Sequence, residues 1–143
     1  MIKHFGNLFI AAVCIGWFSI AAAAAGEEKV LYHINDSVVA RAALGNIRNH
    51  LNATEDKVKI VVVSHGAGID FLLEGAQDKN GNPYNIAVEE LMARGVDFRV
   101  CNNTLKARKI DPKTVLQGAK VVPSGVAEIG RLQSVEGYAY LKP

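Results

Sequence analysis

The chain has 143 residues, half of them hydrophobic, with 16 lysines and arginines against 14 acidic residues and a formal net charge of +2. So even a balance gives no overall reason to expect a nucleic acid as partner. With only two cysteines, a structural zinc site is out of reach.

In chain order, Lys3 and His4 make a short polar start, residues 5–20 are mostly apolar, and Ala21 to Ala25 form a small-residue tract before Gly26-Glu27-Glu28-Lys29. This pattern predicts a secretory signal peptide over residues 1–25, cut after Ala23 or Ala25. The alternative is an uncleaved anchor, because the apolar run approaches spanning length; the alanine tract favours cleavage. Cys14 belongs to this segment, and Val13 before it is too large for a lipoprotein signal. Removing 25 residues leaves 118, enough for one compact domain over residues 26–143 with a net charge of +1 and no membrane segment. The expected location is periplasmic or secreted. Exported cysteines normally pair, so the unpaired Cys101 points to a reactive thiol or an intermolecular bridge.

Residues 29–34 read as a first strand. Val38, Val39, Ala42, Ala43, Ile47 and Leu51 follow at helical spacing, with Asp36 or Ser37 as N-cap. His50 falls near the end of that helix, where it favours the helix dipole from the surface. After a polar turn, Val58, Ile60, Val61, Val62 and Val63 form a near-continuous β-branched run, the signature of a strand buried on both faces. It ends at Ser64-His65-Gly66-Ala67-Gly68, where glycines permit tight turns or the close approach of a ligand. A short helix is expected over residues 69–73, a surface loop over 77–83 and a helix over 84–94 that stops at Gly95.

The third strand runs over residues 96–101 and ends at Cys101. Asn102, Asn103 and Thr104 favour turns and helix N-caps, so the thiol sits where a strand stops and a helix starts. Helix N-termini lower a thiol's pKa, and Lys106, Arg108, Lys109, Lys113 and Lys120 add positive charge nearby. The other reading of Cys101 is a small hydrophobe packed in the core. Residues 105–110 are short helix or loop, and Asp111-Pro112 opens another helical turn. A fourth strand is expected over 120–122, a helix over 126–133, and a fifth strand or packed tail over 137–141.

Strands alternating with helices predict an α/β domain, a three-layer α/β/α arrangement with about five mostly parallel strands. In such sheets ligands bind beyond the carboxyl ends of the strands. His33, Ser64-His65 and Cys101 each fall at such an end. Among them His65 is the candidate proton acceptor or orienting group for Cys101, with a loop histidine bonded to its own turn as the alternative. His33 is a weaker candidate that packs at its strand end. No Gly-x-Gly-x-x-Gly fingerprint, phosphate-loop lysine or Gly-x-Ser-x-Gly elbow is present, so no cofactor or metal is expected.

The segments Val100-Cys101-Asn102-Asn103-Thr104-Leu105 and Val122-Pro123-Ser124-Gly125-Val126-Ala127-Glu128, with Arg131-Leu132-Gln133 and Gly137-Tyr138-Ala139-Tyr140, resemble the DsrE/DsrF-like family, in particular its small exported stand-alone members. The resemblance spans the whole mature domain. It implies a doubly covered, mainly parallel sheet and assembly into homo-oligomers, trimers or hexamers. In the sulfur-relay members a cysteine after the third strand accepts a sulfane sulfur as a persulfide and hands it to a partner protein, and Cys101 matches that position. The residues expected around it are His65, Gly66, Asn102, Asn103, Thr104, Ser124 and Gly125. One departure is that relay members work in the cytoplasm with partner subunits, whereas this chain carries an export pattern. Three functions follow as expectations: a persulfide carrier, a non-enzymatic oligomeric module that binds a small ligand, and a thiol redox sensor.

Overall fold

The structure, a computed structural model, describes residues 26–143. The signal peptide expected over residues 1–25, with Cys14, lies outside the described residues. The elements are β1 (Glu28–Ile34), a 3-10 turn (Ser37–Val39), α1 (Ala40–Ala53), β2 (Val58–Ser64), a 3-10 segment (Gly66–Leu72), α2 (Asn85–Ala93), β3 (Asp97–Cys101), α3 (Asn102–Ala107), a 3-10 turn (Pro112–Thr114), β4 (Lys120–Val122), α4 (Gly125–Ser134) and β5 (Ala139–Leu141). The five strands form one sheet in the order β4-β3-β2-β1-β5, every pair parallel. Helices cover both faces, as the alternation of strand and helix predicts.

Side-chain alternation along the strands divides the core in two. Val30, Tyr32, Ile34, Ile60, Val62, Phe98 and Val100 face α1, α2 and α3, where Leu44, Ile47, Leu91 and Leu105 are at most 1% exposed. Each such side chain contributes about 1.5–3 kcal/mol by leaving water. Leu31, Val61 and Val63 point the other way, where α4 supplies Leu132 and the loop before β5 supplies Tyr138. β2 is buried from both sides, which explains its continuous β-branched run.

Local chemistry fixes the ends. The Asp36 carboxylate accepts the Val38 N–H at 2.9 Å and starts the turn into α1. Gly95, with φ of 90°, stops α2 in a left-handed conformation that suits glycine, and its N–H donates to the Met92 carbonyl. Ser124 caps α4 through the Ala127 N–H, and Glu128 lies in that helix's first turn. Two of the boundaries that differ from the expectation shape the strand-end edge. The helical segment after β2 begins at Gly66 rather than 69, because the Gly66 N–H is held by the Thr104 hydroxyl and Gly68 packs directly on the Ile34 carbonyl. α3 begins at Asn102, immediately after the strand, so Cys101 itself occupies the N-cap position and the Asn102, Asn103 and Thr104 side chains do not cap α3.

Candidate functional site

The parallel sheet brings the carboxyl ends of all five strands to one edge. Cys101 ends β3, Ser64 and His65 end β2, His33 is the penultimate residue of β1, and Tyr140 lies on β5. His33 and Cys101 both project from the α4 side: His33 is in register with Val63, and Val63 with Arg99, two residues before Cys101.

Cys101 is a free thiol, 4% exposed. α4 runs toward it N-terminus first, and Gly125 packs so close that a Cβ there would stand 3.1 Å from the Cys101 Cβ, 3.2 Å from the His65 Cβ and 3.5 Å from the Ser64 carbonyl oxygen. A side chain here would have to push Cys101 and His65 back by a few tenths of an ångström, so glycine suits this approach. The helix is aimed by charge. Arg99 pairs with Asp97 at 2.8 Å and with Glu128 of α4, Arg131 joins Glu128 at 2.8 Å, and Lys120 reaches Asp97 at 2.9 Å.

Burial alone pushes the Cys101 thiol up. The N–H of Gly125, the hydroxyl of Thr104 and the N–H groups of Thr104 and Asn103 outweigh it, and the thiol titrates below its ordinary value. Two helix starts thus converge on one sulfur, α3 through its own first residues and α4 through Gly125. The Thr104 hydroxyl also accepts the Gly66 N–H at 3.0 Å, which fixes its orientation. The lysines and arginines after Cys101 are not the source of the effect: Arg108 bonds the Gly66 carbonyl and Asp70, and Lys120 bonds Asp97.

Beside the thiol lies a chain of titratable side chains along the strand ends. His33 Nε2 and His65 Nε2 share a hydrogen bond at 2.7 Å, and His33 Nδ1 bonds the Tyr140 hydroxyl at 2.6 Å. Burial, then the neighbouring His65 and Lys142, hold His33 below its ordinary 6.5. His65, the candidate proton acceptor from sequence, lies with Cys101 against Gly125, and its Nε2 is turned to His33. His33, rated weaker from sequence, is the centre of the chain, and Tyr140 gave no sequence signal of a role. His50 sits in the last turn of α1 as expected but bonds the Tyr32 hydroxyl and Glu28 at 3.0 Å each.

Of the other expected residues, Asn103, Thr104 and Gly125 surround the sulfur, Gly66 orients Thr104, and Ser124 acts one step removed by capping α4. Asn102 is half-buried at the start of α3 and gives the sulfur no hydrogen bond. No group of three or more His, Cys, Asp or Glu among the described residues could hold a metal. Likewise no helix there is long and apolar enough to cross a membrane.

Comparison with known proteins gives one family and one fold. The model of the DsrE/DsrF-like family matches residues 17–143. A protein of unknown function from Methanobacterium thermoautotrophicum is 36% identical over 81% of this chain and 99% of its own, with a TM-score of 0.71. The ychN protein from E. coli (16% identity, 81% and 99% covered, TM-score 0.62) and a conserved protein of unknown function from Bacteroides thetaiotaomicron (16%, 85% and 99%, TM-score 0.61) share the fold. No curated protein matches the chain significantly.

Proposed function

This chain belongs to the DsrE/DsrF-like family, and from that premise we propose a sulfur-relay-like function in which Cys101 carries sulfane sulfur as a persulfide. The observation that supports this is the convergence of Gly125, Thr104 and Asn103 on the Cys101 sulfur, which stabilises an anion there. The Cys101 thiolate attacks the outer sulfur of a persulfide donor. A bond forms between that sulfur and Cys101, the donor's S–S bond breaks, and the donor leaves as a thiolate. In the second half an acceptor thiolate attacks the outer sulfur and Cys101 returns as a thiolate. Neither half needs an oxidant. In this reading His65, at the end of the neighbouring strand β2, serves as the base once its ring turns from His33 toward the thiol.

We place this protein in the periplasm or outside the cell on the pattern of residues 1–25, and we propose a homo-oligomer, a trimer or hexamer, that exchanges sulfur with a donor or acceptor protein. Exposed Val126 (65%), Val135 (75%) and Tyr140 (39%) around α4 support the assembly, because a single helix covers that face. Light scattering on the eluting peak tests it, and a monomer at micromolar concentration refutes it.

The burial of Cys101 favours a second reading, a non-enzymatic ligand module in which the thiol is packing. Intact mass after incubation with a polysulfide donor separates the two. A gain of whole sulfur atoms, reversed by reductant and missing in Cys101→Ser, supports the carrier. No gain, with slow alkylation of the folded protein, supports the module. A reversible disulfide-linked dimer in oxidant, absent in the variant, supports the third expectation of a redox sensor.

A further inference from the structure

Across the sheet from α4, a cavity of about 520 Å³ opens beside the carboxyl end of β1. Its walls come from the turn before α1, the first turn of α1, the segment after β2 and the loop 76–80. The volume is that of small-molecule sites, and the position is the one that parallel sheets offer to ligands. It shares no lining residue with the thiol site.

The apolar part is led by Val38, which stands at the wall 86% exposed, an apolar side chain left in water; behind it the mostly buried Tyr84 meets the fully buried Phe71 edge to face at 5.9 Å. The polar part is fixed in advance. The Arg41 guanidinium stacks over the Tyr84 ring at 4.3 Å, lies 3.0 Å from Asp78 through Nε, and donates through Nη2 to the carbonyls of Asn82 and Pro83. Asp78 is in turn held by the N–H groups of Asn80 and Asn82, so the loop and the guanidinium brace each other.

Charge then decides the ligand. The wall has two carboxylates, and both are spent: Asp78 on Arg41, and Asp70 on Arg108 from outside the cavity at 2.6 Å. Lys79 has no ion pair among the described residues, and Arg41 Nη1 has no hydrogen-bond partner there. One positive charge is left over, next to donors on a rigid fork.

We propose that this cavity binds a small organic monocarboxylate with an aromatic or branched aliphatic body. The body lies on Val38 and the accessible edge of Tyr84, which the buried Phe71 backs, and the carboxylate meets Lys79 and the outer edge of Arg41. This site stands apart from the sulfur reading and does not need Cys101.

Calorimetry on the full chain with 4-phenylbutyrate, its uncharged amide and 4-phenylbutylamine tests the proposal. The carboxylate is expected to bind about tenfold more tightly than the amide, as one charged hydrogen bond gives, and the amine more weakly than either. Lys79→Met should remove that tenfold preference and leave the amide unchanged, while Cys101→Ser should bind the carboxylate as wild type does. Equal affinity for carboxylate and amide, an unaltered preference in Lys79→Met, or no binding up to the solubility limit overturns the proposal. So does a smaller oligomer in Val38→Glu, which would mean that a second copy of the chain covers the cavity mouth.

Discussion

Replacing Thr104 by valine removes one hydroxyl and keeps the volume. That hydroxyl has two partners: it accepts the Gly66 N–H at 3.0 Å and it faces the Cys101 sulfur as a donor. Losing the first leaves a half-buried N–H without its acceptor, at a cost of about 1–2 kcal/mol, or a fall in Tm of about 4–10 °C for a domain of this size. Losing the second takes away one of the interactions that hold the thiol down while burial continues to push it up, so the thiol pKa rises. Ultraviolet thiolate absorbance against pH, with Cys101→Ser as blank, reads the pKa without requiring a reagent to reach the sulfur. Thr104→Ser should restore both quantities. The linked stability has a definite sign. A thiol depressed in the folded state contributes stability that is full above its unfolded pKa and is lost as pH falls through the folded pKa. Wild type should therefore gain on Cys101→Ser as pH rises toward the ordinary thiol range, and Thr104→Val should gain less. An unshifted thiolate titration alongside a lowered Tm would refute the bond between hydroxyl and sulfur.

Gly68→Ala should cost more than about 3 kcal/mol or prevent folding, because the new Cβ would lie 2.2 Å from the Ile34 carbonyl oxygen; a Tm within two degrees of wild type contradicts that packing. Val62→Asp should unfold the domain, since Val62 is fully buried in β2 and the carboxylate would have no partner; a soluble variant with native circular dichroism is the opposing result. His33 titrates below its ordinary 6.5, so the folded state binds fewer protons than the unfolded chain in the interval between the two values. Stability is lost there as pH falls below 6.5. His33→Gln should flatten this acid-side slope of Tm against pH, and an unchanged slope argues against the histidine pair as its source.

Much of the architecture was legible because each segment carries its own period. The run Val58, Ile60 to Val63 could only be a strand covered from both sides, and it became β2. The convergence of His33, Ser64-His65 and Cys101 on one edge followed from parallel strands alone, whatever their order. Strand order was not legible, and it decides the details. Tyr140 reaches His33 across 107 residues only because β5 docks on the free side of β1. The tight fit of Gly125 over the thiol depends on how the Arg99–Glu128 pair sets the angle of α4, and no local pattern contains that. The direction of His65 was missed for the same reason: its partner, His33, lies on another strand. For the thiol, sequence pointed to stabilisation by the helix start that follows it, missed the second start at Gly125, and also credited lysines and arginines that do not act on the sulfur, Arg108 and Lys120 being bonded elsewhere.

The unequal division of the core has a consequence for motion. The cluster that holds α4 to the sheet contains five buried residues, whereas the other face holds α1, α2 and α3 through a far larger one. Proteins open in cooperative units whose free energies follow the apolar surface each unit surrenders. By that rule α4 and β5 are the part of an isolated chain expected to open first, which amide hydrogen exchange would show as faster exchange there than in α1, α2 and β2. Such an opening would withdraw Gly125 from the sulfur and Tyr140 from His33 together. Cover over the thiol and stabilisation of its anion thus come from the same helix start, and a partner copy packed on α4 would secure both at once.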